Sequence, residues 1–471
     1  MFTQIDVANA ATRTWDVIIA GSSFSAMFFM HGLPKDARVL IVERGPIVPH
    51  EQQTADRKHF HETFEMTNTS DHKKKWVALS MFGGNSNCWW GQTPRFHPND
   101  FQMSELYGVG EKWPISYDEI EPYYGEVEAL MEIAGGSSQH ILPRSTPFPY
   151  PNHPVSRSDA ICIEKRPDIW VPVPTARSNG GSRAQCCANG VCTICPVDSK
   201  FTILNSIETF ATDNVSLLTS VEARSVIVEG GRATGLVVQD QDGTRTELRG
   251  NLVALAANAI SNTTILMRSG VQSNALGKYL HEQSSLILWA DVAAPGYFGG
   301  SSITGHCYGF YDGPHRSEAA AVLVENFNAP NSLRSLKGRW TERMQLKLIA
   351  EDLPQAENFV TLGENDEAKI TWTGHSNYSE AGLQRAVNNL ADILPFELEA
   401  IAKTTRSETE AHIQGTHRMG DDRENSVVDK TSRVYGVDNL FALGSGVFPT
   451  SSASNPTLTL SALSLFAGRS V

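Results

Sequence analysis

After fourteen mixed residues the chain enters an apolar run, "WDVIIA" (15–20). A short polar turn, "GSSFS", follows, then a stretch apolar all round, "AMFFM", and a second apolar run, "RVLIVE" (38–43). Short apolar runs bounded by turn residues fit strands buried on both faces. A helix without a polar face fits one packed inside. Residues 15–43 are therefore predicted as strand, turn, helix and strand, the start of a parallel βαβ unit. Residues 46–80 are polar, contain "DHKKKW" and are expected to be irregular. "WPISYDEIEPYYGEVEALMEIAG" (113–135) opens with a turn and continues as an amphipathic helix. Residues 137–185 are rich in Pro, Ser and Arg and predict a long surface loop. "EGGR" and "QDGT" mark two hairpin turns within 223–248, and "NLVALAAN" (251–258) reads as another buried strand. From about 283 to 375 strand-like segments dominate: "SSLILWADV", "AAAVLVENF", "QLKLIAEDL", "NFVTLGE" and "AKITWTG". A single helix is predicted over "SEAGLQRAVNNLADILPFELEAIA" (379–402). The last sixty residues return to loops and a buried strand, "NLFALGSG". The pattern is an α/β beginning, a mostly antiparallel insertion and a C-terminal return.

Length and charge narrow this. With 471 residues the chain suits a large two-lobed protein. Its 39 basic and 52 acidic side chains give a net charge of −13, which disfavours nucleic acid or an anionic membrane surface as partner. No apolar stretch approaches the roughly 20 residues that span a bilayer, and "MFTQIDVANAATRTWDV" lacks a basic region followed by an apolar core. A cytoplasmic protein is the default expectation, with export alongside a partner subunit left open. Four of the seven cysteines lie together in "CCANGVCTIC" (186–195), a clustering that favours a metal site or redox chemistry over structural disulfides.

The turn "GSSFSA" (21–26) is a depleted version of the G-x-G-x-x-G loop that receives a dinucleotide. Gly21 keeps the tight-turn role, while Ser23 and Ala26 stand where the second and third glycines would be. Both replacements are small, and the helix N-terminus still offers amides to a phosphate. Glu43 ends the next strand twenty-two residues after Gly21, the spacing expected of an acidic residue that holds a ribose hydroxyl. A dinucleotide site is the resulting expectation.

Four further segments follow along the chain: "FGGNSNCWWGQTPRFHPNDF" (82–101), "WPISYDEIEPYY" (113–124), "NAISNTTILMRSG" (258–270) and "HIQGTHRMGDDRENSVVDKTSRVYGVDNLFALGSGVFPTSSASNPTLT" (412–459). In this order they resemble the glucose–methanol–choline (GMC) oxidoreductases, FAD-dependent oxidisers of alcohols. The likeness is greatest to the branch of pyranose oxidases and bacterial FAD-dependent sugar dehydrogenases. Departures are Ser23, Ala26, and Asn258 in place of a usual glycine. The resemblance implies a Rossmann-like FAD-binding domain from residues 1–100, 196–282 and 411–471. It implies a second, mainly antiparallel substrate domain from 101–195 and 283–410. The FAD pyrophosphate is expected along Gly21, Ser22, Ser23, Phe24 and Ser25, the ribose at Glu43 beside Arg44, and the adenine at Val221. Gly83, Gly84, Asn87, Cys88 and Trp89 would pass along the flavin ring. Ala257, Gly444, Ser445, Val447 and Phe448 would close over it, and Asn455, Pro456 and Thr457 would start a helix aimed at its pyrimidine end.

The same resemblance places the general base at His412 and its hydrogen-bonding partner at Asn455, forty-three residues on. Histidine suits the role because its unperturbed pKa lies near neutrality. His417 and His281 are read as structural. The expected substrate is a sugar, glycoside, amino sugar or other polyol, with Trp89, Trp90, Phe310 and Tyr311 as candidates to stack on its ring. The electron acceptor is open between oxygen and a partner protein or quinone. A non-redox lyase and an inactive structural subunit remain competing classes. Cys88 stands where pyranose oxidases bond a histidine to the flavin, so a cysteinyl-flavin bond competes with a plain buried thiol. Cys187, Cys192 and Cys195 resemble the ligands of a three-iron [3Fe–4S] cluster in bacterial sugar dehydrogenases, with one residue fewer between the last two. Structural thiols, a local disulfide and zinc are the alternatives, and a cluster would favour a dehydrogenase.

Overall fold

A computed structural model describes residues 2–59, 61–293, 300–328 and 342–471. The predicted strand–turn–helix–strand is Thr14–Ala20, Phe24–Gly32 and Val39–Val42. These strands join an eight-stranded sheet in the order Thr3–Gln4, Val215–Leu218, Val39–Val42, Thr14–Ala20, Arg245–Leu255, Arg232–Gln239, Glu222–Glu229. Leu440–Ala442 pairs along the end of Arg245–Leu255. The first five strands and Leu440–Ala442 run parallel; the last two form the antiparallel hairpins that the "GG" and "DG" turns foretell. The C-terminal helix Thr457–Arg469 packs along Phe24–Gly32 at very short range. A Cβ on Gly468 would lie 2.2 Å from the Phe29 carbonyl oxygen. Glycine is needed there to let the two backbones meet.

A second sheet, antiparallel throughout, has six strands in the order Leu398–Arg406, Ser284–Val292, Arg343–Ala350, Val322–Phe327, Ile303–Phe310, Trp170–Pro172. One of its faces holds an apolar core with Leu288, Val324, Leu346 and Leu348, against which helix Asn377–Asn388 packs through Leu383 and Ala386.

Three sequence expectations are corrected. The predicted helix over 379–402 ends at Asn388. Residues 390–393 make one tight turn, Pro395 interrupts, and Leu398–Arg406 becomes an edge strand. Helical spacing in "FELEAIA" misleads because the alternation that continues through "EAIAKTTR" has period two. Within 137–185, helix Arg157–Lys165 and strand Trp170–Pro172 interrupt the expected loop. The strand forms the end of the second sheet, paired with Ile303–Phe310, and Trp170 is fully covered. Residues 46–80 contain helix His50–Asp56 and short strands at Glu62–Thr63, Glu65–Asn68 and Val77–Ala78. Among the described residues no helix is long and apolar enough to cross a membrane.

Candidate active site

In open α/β sheets ligands sit beyond the carboxyl ends of the parallel strands. Here those ends open into one cavity of about 920 Å³, walled by Gly21–Ser25, Glu43, Arg44, Ala257, Gly444 and Ser445. Gly21 has φ +108°, and a Cβ there would lie 2.5 Å from the Ala256 carbonyl oxygen. Helix Phe24–Gly32 starts at Ser23 without a side-chain cap, so its first amides are left for an anion. Glu43 is almost fully buried. It accepts from the Ser22 hydroxyl and from the Gly45 amide at 2.8 Å, and Ser22 Oγ in turn accepts from the Gly83 amide at 2.9 Å. Burial pushes the Glu43 carboxyl up, against these bonds and the Arg44 charge. This chain of bonds ties the nucleotide loop to the segment carrying Cys88.

Not every expected residue reaches the wall. Gly84, Cys88 and Trp89 do, together with Trp90. Gly83 and Asn87 lie behind them, and the Asn87 amide donates to the carbonyls of Phe82 and Gly84 at 3.0 and 2.9 Å, bracing the turn. Val221 is buried and donates its amide to the Glu43 carbonyl at 3.1 Å, while its successors Glu222, Ala223 and Arg224 line the cavity. Val447 and Phe448 are core residues. Of the four stacking candidates, Trp89 and Trp90 face the cavity. Phe310 belongs to the second sheet's core, and the buried Tyr311 hydroxyl donates to Asp100 at 2.8 Å.

The far end of the same cavity holds His412, Asn455, Pro456 and Thr457. Asn455 precedes helix Thr457–Arg469, and its Oδ1 is buried without a hydrogen-bond partner. His412 follows Ala411, a non-glycine residue at φ +57°, a strained conformation that the surroundings must enforce. They do so through Glu282, which accepts from Lys74, from the Thr409 hydroxyl, and from the amides of Glu410 and His412.

Next to it, Gln283 donates through Nε2 to the Ser452 and Ser454 carbonyls at 2.9 and 3.0 Å, which fixes its amide orientation. Its Oε1 therefore faces His412 Nδ1 at 3.1 Å and can only accept. Nδ1 carries the proton, and Nε2 is left as the basic nitrogen. Burial lowers the His412 pKa against the raising charges of Glu410 and Glu282, which keeps the ring neutral at neutral pH. Glu282, Gln283, Glu325 and Lys347 carry no motif, and sequence reasoning missed all four.

His417 and His281 lie outside the cavity wall, both fully buried. His417 contacts the Thr263 and Thr416 hydroxyls and the Leu443 carbonyl; His281 Nδ1 meets the Tyr279 carbonyl at 2.7 Å. Burial holds each pKa down to about 4, against these carbonyls. Below pH 6.5 the unfolded chain gains a proton at each site that the folded chain refuses until about pH 4. Stability is therefore expected to fall as pH drops from 6.5 to 4, by roughly 3 kcal/mol per histidine. A urea midpoint that stays constant across that window would refute this.

The cysteine segment departs from its expectation. Cys187 is exposed. Cys192 is buried, with Sγ 3.0 Å from Ser302 Oγ and 3.5 Å from Arg177 Nη1, and Cys195 Sγ accepts from the Ser199 amide at 3.3 Å. Cys192 and Cys195 both lie near the Lys200 ammonium, whereas Cys187 stands apart at the surface. Among the described residues no three His, Cys, Asp or Glu side chains gather to hold a metal ion. All seven cysteines are unpaired thiols. The argument from a [3Fe–4S] cluster towards a dehydrogenase loses its support.

Residues 168–285 and 340–464 match the N-terminal and C-terminal family models of the GMC oxidoreductases. The chain is 27% identical to the fructose dehydrogenase large subunit of Gluconobacter japonicus, over 83% of this chain and 80% of that one. It is 26% identical to 6'''-hydroxyparomomycin C oxidase of Streptomyces lividus, over 98% and 92%. Its fold is similar to that of pyridoxine 4-oxidase from Mesorbium loti, with a TM-score of 0.68 at 17% identity, covering 97% of this chain and 99% of the other. A parallel sheet opening on a nucleotide-sized cavity, an antiparallel second sheet and both family segments in order establish that the chain belongs to the GMC oxidoreductases.

Proposed function

We propose that the protein oxidises a CH–OH group of a sugar, glycoside, amino sugar or other polyol, with His412 as the base. The observation that carries this reading is the continuity of one cavity from Gly21 and Glu43 to His412 and Asn455. FAD fits that cavity. Gly21 leaves no room for a side chain, two helix N-termini without side-chain caps face it, and the buried Asn455 Oδ1 lacks a partner. Gly21–Ser25 would hold the pyrophosphate, Glu43 the ribose, Glu222–Arg224 the adenine end, and Gly84, Cys88, Trp89, Ala257, Gly444 and Ser445 the ring. When bound, FAD supplies at N5 the acceptor for the hydride leaving the carbinol carbon. His412 Nε2 takes the hydroxyl proton, so the alcohol loses a hydride and a proton and becomes a carbonyl compound. Asn455 offers its amide to the substrate oxygen and steers the hydroxyl towards Nε2.

Anaerobic addition of sugars and polyols to the purified flavoprotein tests this. Bleaching of the flavin band supports oxidation; an unbleached band with every alcohol class points to the lyase or the inactive subunit. With a bleaching substrate, oxygen uptake identifies an oxidase. Dye reduction without it identifies a dehydrogenase that hands electrons to a partner.

Cys88 lines the cavity, and burial pushes its thiol pKa up against the nearby Lys200 charge. A protonated thiol is a poor nucleophile, so the flavin is expected to be non-covalent. Acid precipitation should leave the yellow colour in the supernatant; a yellow pellet would overturn the expectation.

A further inference from the structure

Part of the cavity wall comes from the second sheet, through Ile287, Ile303, Glu325, Phe327 and Lys347. Along Val322–Phe327 the side chains alternate, so Glu325 and Phe327 face the cavity while Val324 joins the core behind. Glu325 stands in one row across the sheet, between Lys347 on one neighbouring strand and His306 on the other. It is 2% exposed, and its Oε1 has no hydrogen-bond partner.

The other charged groups near His412 are matched. Lys74 pairs with Glu282, and Lys347 pairs with Glu410, which also accepts from the Ser285 hydroxyl. Among the described residues Glu325 is left with a single ion-pair contact, to His306. His306 Nε2 lies 3.5 Å from Oε1 without forming a hydrogen bond, and His306 is not part of the cavity wall. Beside Glu325, Phe327 and Trp90 form an aromatic pair with ring centroids 5.4 Å apart, a surface on which a ring can rest.

A buried carboxylate oxygen without a hydrogen-bond donor is unfavourable, and leaving it facing a bound neutral molecule makes that binding weaker. An ammonium group brings both opposite charge and three donors. We propose that Glu325 is a cation subsite and that the alcohol this enzyme oxidises carries a protonated amine, as an amino sugar or amino polyol does. The inference rests on the alcohol-oxidation reading above and narrows its substrate class. Lys347 makes its ion pair with Glu410, and Glu325 adds to the carboxylate field that holds the ammonium charged. The mismatch of a buried polar atom left without a hydrogen bond is also a stronger source of discrimination than apolar shape.

Matched pairs test it on the FAD-loaded enzyme: D-glucosamine against D-glucose, D-galactosamine against D-galactose, and serinol against glycerol. Binding is read from the perturbation of the flavin spectrum, and reaction from anaerobic bleaching, at pH 7. The amine is expected to bind at least about tenfold more tightly in at least one pair, with N-acetylation of an amino sugar abolishing its advantage. Glu325→Gln keeps the shape and removes the charge, and should cut the amine-to-neutral ratio about tenfold or more. Equal binding within all pairs, or a ratio unchanged in Glu325→Gln, overturns the cation subsite. The N-acetyl comparison is made on the wild-type protein and does not depend on a variant folding. Failure of the wider reading looks different: amines bind selectively, yet no alcohol, charged or neutral, bleaches the flavin.

Discussion

His412→Ala is expected to give a folded, FAD-loaded protein whose turnover is lower by roughly 10²–10⁴-fold, the usual cost of removing a general base. Folding should survive because the side chain makes one hydrogen bond, to Gln283, whereas the backbone amide that anchors the strap to Glu282 is kept. FAD should remain because the nucleotide end of the cavity is built from other strands. The pH profile gives a second signature. The base must be unprotonated, so wild-type kcat/KM should fall on the acid side, through an apparent pKa below the ordinary histidine value because burial favours the neutral ring. In His412→Ala that acid limb should disappear along with the rate. Turnover within a few-fold of wild type on a good substrate would remove His412 from the mechanism. His417 is a poor replacement. It lies behind the wall, with Thr263, Thr416 and Leu443 around its two ring nitrogens.

What could be read from the sequence was mostly local. The strand Thr14–Ala20, the turn at Gly21 and the acidic residue at the end of Val39–Val42 follow from apolar runs and one spacing. The structure supplies the reason that spacing works, since adjacent parallel strands deliver Gly21 and Glu43 to one cavity. The hairpins were legible because Gly230 and Gly231 both adopt positive φ, which few other residues tolerate. Leu398–Arg406 was not legible. Its outward positions are solvated along a sheet edge, and its short apolar spacing mimics one helical turn. The cation subsite was hidden for a different reason. Glu325 in "VLVENF" follows three consecutive apolar residues and reads as the polar end of an ordinary strand, and only the sheet's position over the cavity makes that carboxylate part of its wall. The cysteine segment erred the other way. Sequence proximity suggested a shared ligand, but Cys187 is exposed while Cys192 turns inward to Ser302 and Arg177.

Gln283 is expected to be the most sensitive position that touches neither FAD nor the reacting oxygen. It is a positioning residue with two tasks on one amide. Its NH₂ satisfies the Ser452 and Ser454 carbonyls just before Asn455, and its oxygen holds the proton on His412 Nδ1. Gln283→Leu keeps the volume and removes both. The Ser454 carbonyl loses its side-chain donor, at about 1–3 kcal/mol, the Ser452 carbonyl keeps only the Ser451 hydroxyl at 3.3 Å, and the imidazole is free to rotate or to place its proton on Nε2, where it no longer acts as a base. A loss of about 10–100-fold in kcat is expected, with KM less affected and FAD content retained. A purely structural role would predict loss of stability with kcat per bound flavin intact. Gln283→Glu separates the two tasks. A carboxylate still accepts from Nδ1, so activity should return at higher pH. Its charge stabilises the imidazolium, so the acid limb of kcat/KM should move upward from its wild-type position. If Gln283→Leu turns over within twofold of wild type, or Gln283→Glu leaves the acid limb in place, the amide does not set the tautomer of His412.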